Sequence, residues 1–202
     1  MNEKTKYFIE VGSCDFDTLL PLCDNGWKGA CVEPVKTLAE NLRKEINARS
    51  LPVELIESAV SDLDGTAQMT QVDKFDYDGP DYWARGVSHI SQAHTKGLCL
   101  LDNVNKIIPR VNVEVPTLTL NSLIKHLSNS SAHFKDFTGD IDFMRLDAEG
   151  HELNILEAYD WSIKPNWIKV EHKHSDRLAI EKILKGQGYY VMNEEEDMYG
   201  VL

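Results

Sequence analysis

The stretch "DFMRLDAEGHE", residues 142–152, decides how the chain folds. Its first half is apolar, with Phe143, Met144 and Leu146 forming the pattern of a buried strand. Asp147, Glu149, Gly150, His151 and Glu152 then follow in quick succession. A solvated turn would accommodate them. So would a loop at the carboxyl end of a parallel strand, the place where open α/β sheets bind their ligands. The neighbouring elements decide what surrounds that strand end.

Strand and helix patterns alternate along the chain. "KYFIEVG" (6–12) is a short apolar run closed by Gly12. "FDTLLPLCDNG" (16–26) carries apolar residues on a helical face and ends at Asn25-Gly26. "KGACVEP" (28–34) is a strand stopped by Pro34. In "VKTLAENLRKEINAR" (35–49), Leu38, Leu42 and Ile46 recur at spacing four with charges between them, which predicts an amphipathic helix. "VELIESAVS" (53–61) reads as a third strand, "DLDG" as a turn, and "TAQMTQV" (66–72) as extended. Residues from about 73 to 112 are the least regular, as expected of a lid or substrate-selecting loop. "NVEVPTLTLNSLIKHL" (112–127) is a strand leading into a helix capped by Thr119 or Asn121. After the 142–152 stretch come a helix in "HELNILEAY", a strand in "NWIKVEH" and a helix in "DRLAIEKILKGQG". "YYVMN" and "DMYGVL" close the chain as an antiparallel pair. Such alternation predicts an α/β fold with a largely parallel sheet, and 202 residues suit one domain.

Composition narrows the function classes. With 42% hydrophobic and 27% charged residues, the chain matches a soluble globular protein. A formal net charge of −12 disfavours duplex nucleic acid, where affinity comes from Lys and Arg meeting phosphates, and also an anionic membrane surface. The four cysteines, Cys14, Cys23, Cys31 and Cys99, show no C-x-x-C spacing and read as free thiols in a reducing cytosol. The first residues carry no apolar signal core, and no run approaches the roughly 18 apolar residues of a membrane span. A cytoplasmic location is expected.

Five strand ends carry the polar residues that matter. The first gives Glu10, Gly12 and Ser13: an acidic residue, one residue, then a glycine that lets backbone approach a ligand. The further glycines of G-x-G-x-x-G are absent, so a pyrophosphate cofactor such as NAD or FAD is disfavoured. The second gives Glu33, about twenty residues after the glycine turn, where an acidic side chain accepts ribose hydroxyls. The third gives Ser58 and Ala59, small enough to border an adenine ring, with Asp62 and Asp64 read as turn formers. The fourth gives Asp147 and Glu149. The fifth gives Glu171, His172 and His174, of which His174 reads as a solvated loop residue. A histidine beside carboxylates can serve as a general base near neutral pH.

"FIEVGS", "CVEP", "AVSDLDG", "VPTLTLNSL" and "IDFMRLDAEGHELNILEA", in this order, resemble the FkbM family of S-adenosylmethionine-dependent methyltransferases. The D-x-E-G-x-E segment is the most specific part, matched by Asp147, Glu149, Gly150 and Glu152. Arg145 stands where the family usually has Lys, Asn121 where an Asp is expected, and Cys14 and Asp15 where Asn or Ala and a later Gly are usual. His151 replaces a small residue. The resemblance implies a class I methyltransferase fold: a Rossmann-like, seven-stranded, mostly parallel sheet with helices on both faces and an antiparallel C-terminal strand pair. It also implies methyl transfer to a hydroxyl of a small molecule, a saccharide or natural product. S-adenosylmethionine has no phosphate, so one glycine and acidic strand ends suit it. On this reading Glu10, Gly12, Ser13, Glu33, Ser58, Ala59 and Asp147 hold the cofactor, and Asp147, Glu149, Glu171 and His172 serve catalysis. A divalent metal shared by Asp147 and Glu171 or His172 is conceivable but not favoured, since no compact ligand motif such as H-x-x-x-H occurs. The competing reading is a non-catalytic cofactor-binding module on the same fold.

Overall fold

The computed structural model describes residues 4–73, 82–90 and 109–202. Its centre is a seven-stranded sheet in the order β3-β2-β1-β7-β8-β10-β9. The strands are β1 (Tyr7–Val11), β2 (Lys28–Val32), β3 (Val53–Ile56), β7 (Phe143–Leu146), β8 (Trp167–Glu171), β9 (Tyr190–Asn193) and β10 (Asp197–Val201). The first five are mutually parallel. β10 runs antiparallel to both β8 and β9, giving the expected C-terminal pair. This is the class I methyltransferase arrangement.

Side-chain alternation along the strands builds one core on each face. Tyr7, Ile9, Val11, Met144, Leu146, Ile168 and Val170 point one way. Helices α2 (Leu120–Ser130), α3 (Glu152–Ala158) and α4 (Arg177–Gly186) pack there through Leu123, Leu127, Ile155, Leu156, Ile180 and Leu184. Phe8, Cys31 and Val53 point the other way and meet Leu42 and Ile46 of helix α1 (Lys36–Arg49). Of the spacing-four residues of the amphipathic helix, Leu42 and Ile46 seal this face of the sheet, and Leu38 packs with Val35, Ala59, Met69 and Val115 toward a smaller sheet.

Two expectations need correcting. The third strand is not continuous. It breaks after Ile56, and Ala59–Val60 form a separate strand, β4, in a second sheet ordered β4-β6-β5. Strands β5 (Gly65–Val72) and β6 (Arg110–Leu118) pair antiparallel along their whole length there. Ser58 marks the break, because its hydroxyl donates to the Pro116 carbonyl of β6 at 2.9 Å. The helix expected over 16–26 is reduced to a 3-10 turn at Leu20–Asn25. Cys14 and Asp17 adopt positive φ before it and Gly26 after it, so too few residues remain for regular α-helix. Thr119, not Asn121, caps α2, accepting from the Ser122 amide at 3.2 Å. Of the irregular 73–112 region, residues 73, 82–90 and 109–112 are described; the remainder, including Cys99, lies outside the described residues.

Among the described residues no helix is long and apolar enough to cross a membrane. The sheet order reverses at β1, which has β2 on one side and β7 on the other. The crevice beyond that reversal is where ligand binding is expected. Its floor is a close approach of two backbones. Gly12 has φ +73°, and a Cβ built there would lie 1.8 Å from the Asp147 carbonyl oxygen. The Asp147 amide in turn donates to the Val11 carbonyl at 3.1 Å.

Replacing Gly12 by Ala therefore adds left-handed strain, about 1–3 kcal/mol, to a backbone clash costing typically another 1–3 kcal/mol. The expected outcome is a melting temperature lowered by at least roughly 4 °C. Unchanged thermal unfolding of Gly12→Ala would show that the two strand ends are not held this closely.

Candidate active site

An open cleft lies at the carboxyl ends of β1, β2, β3 and β7, with about 770 Å³ of empty space measured out to its mouth. Gly12, Ser13, Glu33, Ser58, Ala59, Asp147 and Glu149 all line it. Five strand-end segments read from the sequence were expected to meet, and four of them do so in this one cavity.

Glu33 is 4% exposed, an unusual environment for a carboxylate. It accepts from the Cys14 amide and the Val35 amide, each at 2.8 Å and on different oxygens. Each oxygen keeps a further lone pair, so the group can also accept two ligand hydroxyls. Burial, opposed by those two N–H bonds, pushes its pKa up to about 7. Ser13 turns its hydroxyl back onto the Glu10 carbonyl at 3.2 Å, leaving a small wall rather than a polar contact. Ser58, occupied with Pro116, and Ala59 likewise present small surfaces, as a flat ring requires.

Glu10 does not line the cleft. It is fully buried behind the glycine loop. Its carboxylate accepts from the Leu19 amide at 3.0 Å, from the Cys31 thiol at 3.5 Å and from Arg145 at 3.3 Å. Burial raises its pKa to about 7 in spite of Arg145. Arg145 also donates to Asp147 at 3.2 Å and to the Asp17 carbonyl. Glu10 thus shapes the site by anchoring residues 12–19, and Arg145 ties that anchor to the end of β7. Cross-strand pairing explains the contact, because Glu10 and Arg145 sit in register on β1 and β7.

The loop after β7 divides its carboxylates between two tasks. Glu149 at φ +50° and Gly150 at φ +94° make a left-handed turn that carries the chain from strand to α3. Glu152, fully buried, stabilises that turn by accepting from the Ala148 amide at 2.8 Å, the Gly150 amide at 3.1 Å and the Ser175 hydroxyl. Asp147 and Glu149 are thereby left facing the cleft. Together with Glu171 from β8, they offer three carboxylate oxygens that all lie within 4.8 Å of one another. Burial raises the pKa of all three. For Glu149 and Glu171 the neighbouring carboxylates add to the effect, while Arg145 pulls Asp147 back down. Three ionised groups so close need a counter-charge, which a shared proton or a divalent cation supplies. Oxygen donors of this kind fit a hard cation such as magnesium or manganese.

The histidines are arranged differently from the expectation. His172 is 7% exposed, lines neither the cleft nor the carboxylate cluster, and gives its amide to the Glu196 carbonyl at 2.8 Å. β8 ends at Glu171, so Glu171 joins the cluster from the strand while His172, the first residue past it, is buried away from the cleft. His174 is the imidazole that reaches the cluster, with Nε2 3.9 Å from the Glu149 carboxylate. Asp64 accepts from the Thr119 amide and the Ser122 hydroxyl at the start of α2, and Asp62 from the Ser61 hydroxyl, as expected of turn residues. Sequence reading missed Arg85, Asp15 and Phe16, which form part of the cleft wall or lie directly against it.

The "Methyltransferase FkbM domain" model matches residues 10–191. None of the curated proteins matches by sequence. Among solved structures, magnesium protoporphyrin IX methyltransferase (ChlM) from Synechocystis PCC 6803 with bound SAM aligns at 9% identity and a TM-score of 0.45, over 99% of this chain and 71% of that one. Precorrin-6y C5,15-methyltransferase from Geobacter metallireducens GS-15 aligns at 11% identity and a TM-score of 0.45, over 98% and 78%. The human methyltransferase 10 domain containing protein aligns at 11% identity and a TM-score of 0.47, over 99% and 73%. The family match spans nearly the whole chain, from Glu10 at the end of β1 to Val191 in β9, and includes every residue placed in the cleft: the chain belongs to the FkbM methyltransferase family.

Proposed function

We propose that the chain transfers a methyl group from S-adenosylmethionine to a hydroxyl oxygen of a small molecule, with a saccharide as the acceptor class. The observation that carries this reading is the convergence of Asp147, Glu149 and Glu171 beside a cleft that also contains Glu33. Glu33 would take the two ribose hydroxyls on its remaining lone pairs, and Ser58 and Ala59 would border the adenine. When bound, S-adenosylmethionine would supply a methyl carbon on a sulfonium: the acceptor oxygen would bond to that carbon in line as the carbon–sulfur bond breaks, and the neutral thioether S-adenosylhomocysteine would leave. The protein's main task is then alignment of that oxygen, since positioning alone can supply most of the acceleration. The acceptor also loses a proton as the new bond forms. The carboxylate cluster would receive it: a raised pKa makes a carboxylate a stronger base once it is ionised. Cluster oxygens would also accept from neighbouring acceptor hydroxyls, which suits a polyol. The overall charge of −12 favours a small acceptor over nucleic acid or an anionic membrane.

The same oxygens would hold a divalent cation, which when bound would acidify a hydroxyl. The proton-accepting role is preferred because Arg145 already neutralises part of the charge on Asp147. Methyl transfer is therefore expected to survive treatment with EDTA. Loss of activity that magnesium or manganese restores would reassign the cluster to a cation.

Asp147→Asn keeps size and most hydrogen bonding but removes the charge. Methyl transfer to a hydroxyl acceptor should fall on the order of a hundredfold, while melting stays near native and cofactor affinity changes only a few-fold. Full turnover with a lowered melting temperature would make Asp147 a structural residue.

Glu33 gives a pH signature. Ribose hydroxyls donate to the ionised carboxylate, so the ligand favours the charged form. Free Glu33 holds its proton up to about pH 7, and binding must release it. Affinity for S-adenosylhomocysteine should therefore rise as pH increases through about 7 and level off above it. Glu33→Gln should bind more weakly and lose that rise. Calorimetry in buffers of different ionisation enthalpy measures the released proton directly; no release at pH 6 would remove Glu33 from the ribose.

A further inference from the structure

Residues 82–90 run along one wall of the cleft as a strap fastened at both ends. At one end the strap joins the small sheet, where Thr70 and His89 exchange backbone hydrogen bonds of 2.9 and 3.0 Å. Ile90 packs there against the cluster formed by Val35, Leu38, Ala59, Met69 and Val115. The other end meets the glycine loop. Arg85 Nε donates to Asp15 Oδ1 at 2.7 Å, with both side chains only 9% exposed. The Arg85 guanidinium lies 4.4 Å from the centre of the Phe16 ring, and Gly86 packs beside that ring. The second Asp15 oxygen accepts from Asn41 of α1 at 3.0 Å. One carboxylate therefore ties three separate pieces together: α1, the loop after β1 and the strap. Arg85, Gly86, Ser88 and Ile90 form one wall of the cleft, and Gly12 to Cys14 with Phe16 form another.

A pair of this kind is costly to bury and does not by itself argue for stability. Apolar contacts could join the two walls at less desolvation cost. What an ion pair adds is a defined register between the walls, with the planar guanidinium held by Asp15 on its edge and Phe16 on its face. We infer that Asp15 and Arg85 are positioning residues that fasten the strap along the cofactor cleft and thereby set how long a nucleoside ligand stays bound. The inference rests on the cofactor reading proposed above. On that reading the cofactor would touch the walls that the pair joins, so the pair would act through those walls rather than on the reacting atoms.

The test uses the full chain with S-adenosylhomocysteine as the probe. Arg85→Met keeps the volume and removes the charge, while Arg85→Lys keeps the charge and removes the planar fork. In the ligand-free protein, amide exchange at Val87 and His89 should accelerate at least tenfold in Arg85→Met, with strand amides such as Ile9 and Met144 unchanged. Dissociation of S-adenosylhomocysteine, followed by stopped flow, should be ten- to a hundredfold faster in Arg85→Met and intermediate in Arg85→Lys. Asp15→Asn should reproduce Arg85→Met, and the double variant should be no worse than either single one. Unchanged exchange at 87–89, or faster exchange with unchanged dissociation, would overturn the inference. Failure of the unaltered chain to bind S-adenosylhomocysteine would instead count against the cofactor reading. Exchange that accelerates across the whole sheet would reveal general unfolding, and Arg85→Lys then decides the question alone.

Discussion

The site depends on one partly buried cation. Arg145 lies between Glu10, Asp17 and Asp147, at the point where the sheet order reverses. A carboxylate as buried as Glu10 would not stay charged without a partner, and a guanidinium in that position needs acceptors. The two requirements meet only if the ends of β1 and β7 stand side by side. Gly12 makes that juxtaposition possible by leaving room for the Asp147 carbonyl. The charge network and the backbone approach reinforce each other, and together they fix where Asp147 points. A guanidinium serves this role better than an ammonium, because it can bond Glu10 and Asp147 through separate nitrogens at once. This gives a physical sense to the Arg at a position where the family more often has Lys.

The D-x-E-G-x-E segment divides into presenting and folding carboxylates. Glu152 closes the turn on itself and is sealed from solvent. Asp147 and Glu149 face outward because Glu152 has satisfied the amides they would otherwise compete for. Glu149 holds a left-handed backbone, a conformation costly for a residue with a side chain and usually retained at functional positions. The cluster is thus assembled from neighbours in sequence and completed by Glu171 from the adjacent strand.

Much of this was legible in the sequence because it follows from periodicity. Alternation fixed which face each strand residue takes, and the run from Leu38 to Ile46 announced the helix that covers β2 and β3. Glycine at position 12 and glutamate at 33 announced the cleft by their type and separation. Other features were not legible, each for a physical reason. The third strand reads as continuous because Ser58 breaks it through a bond to Pro116, a residue 58 positions away. Glu10 reads as a ligand contact because sequence shows a strand end but not which side of the loop a side chain takes. His172 and His174 were exchanged in importance by the turn that follows β8, closed by the Ser175 amide on the His172 carbonyl, which brings His174 rather than His172 to Glu149. Asp15 stood out in the glycine loop only as a departure from the family pattern, and its pairing with Arg85 gave no signal, since a pair 70 residues apart has no local pattern to betray it.

On the proposed reading a nucleoside cofactor would lie in this cleft with its ribose on Glu33 and its sulfur toward the carboxylates of Asp147 and Glu149. A crystal structure of the chain with S-adenosylhomocysteine tests it most directly. The expected result is both ribose hydroxyls within about 2.5–3.0 Å of the Glu33 oxygens and the sulfur facing the carboxylate cluster. A ligand bound elsewhere, or in the cleft with its ribose away from Glu33, would contradict the account.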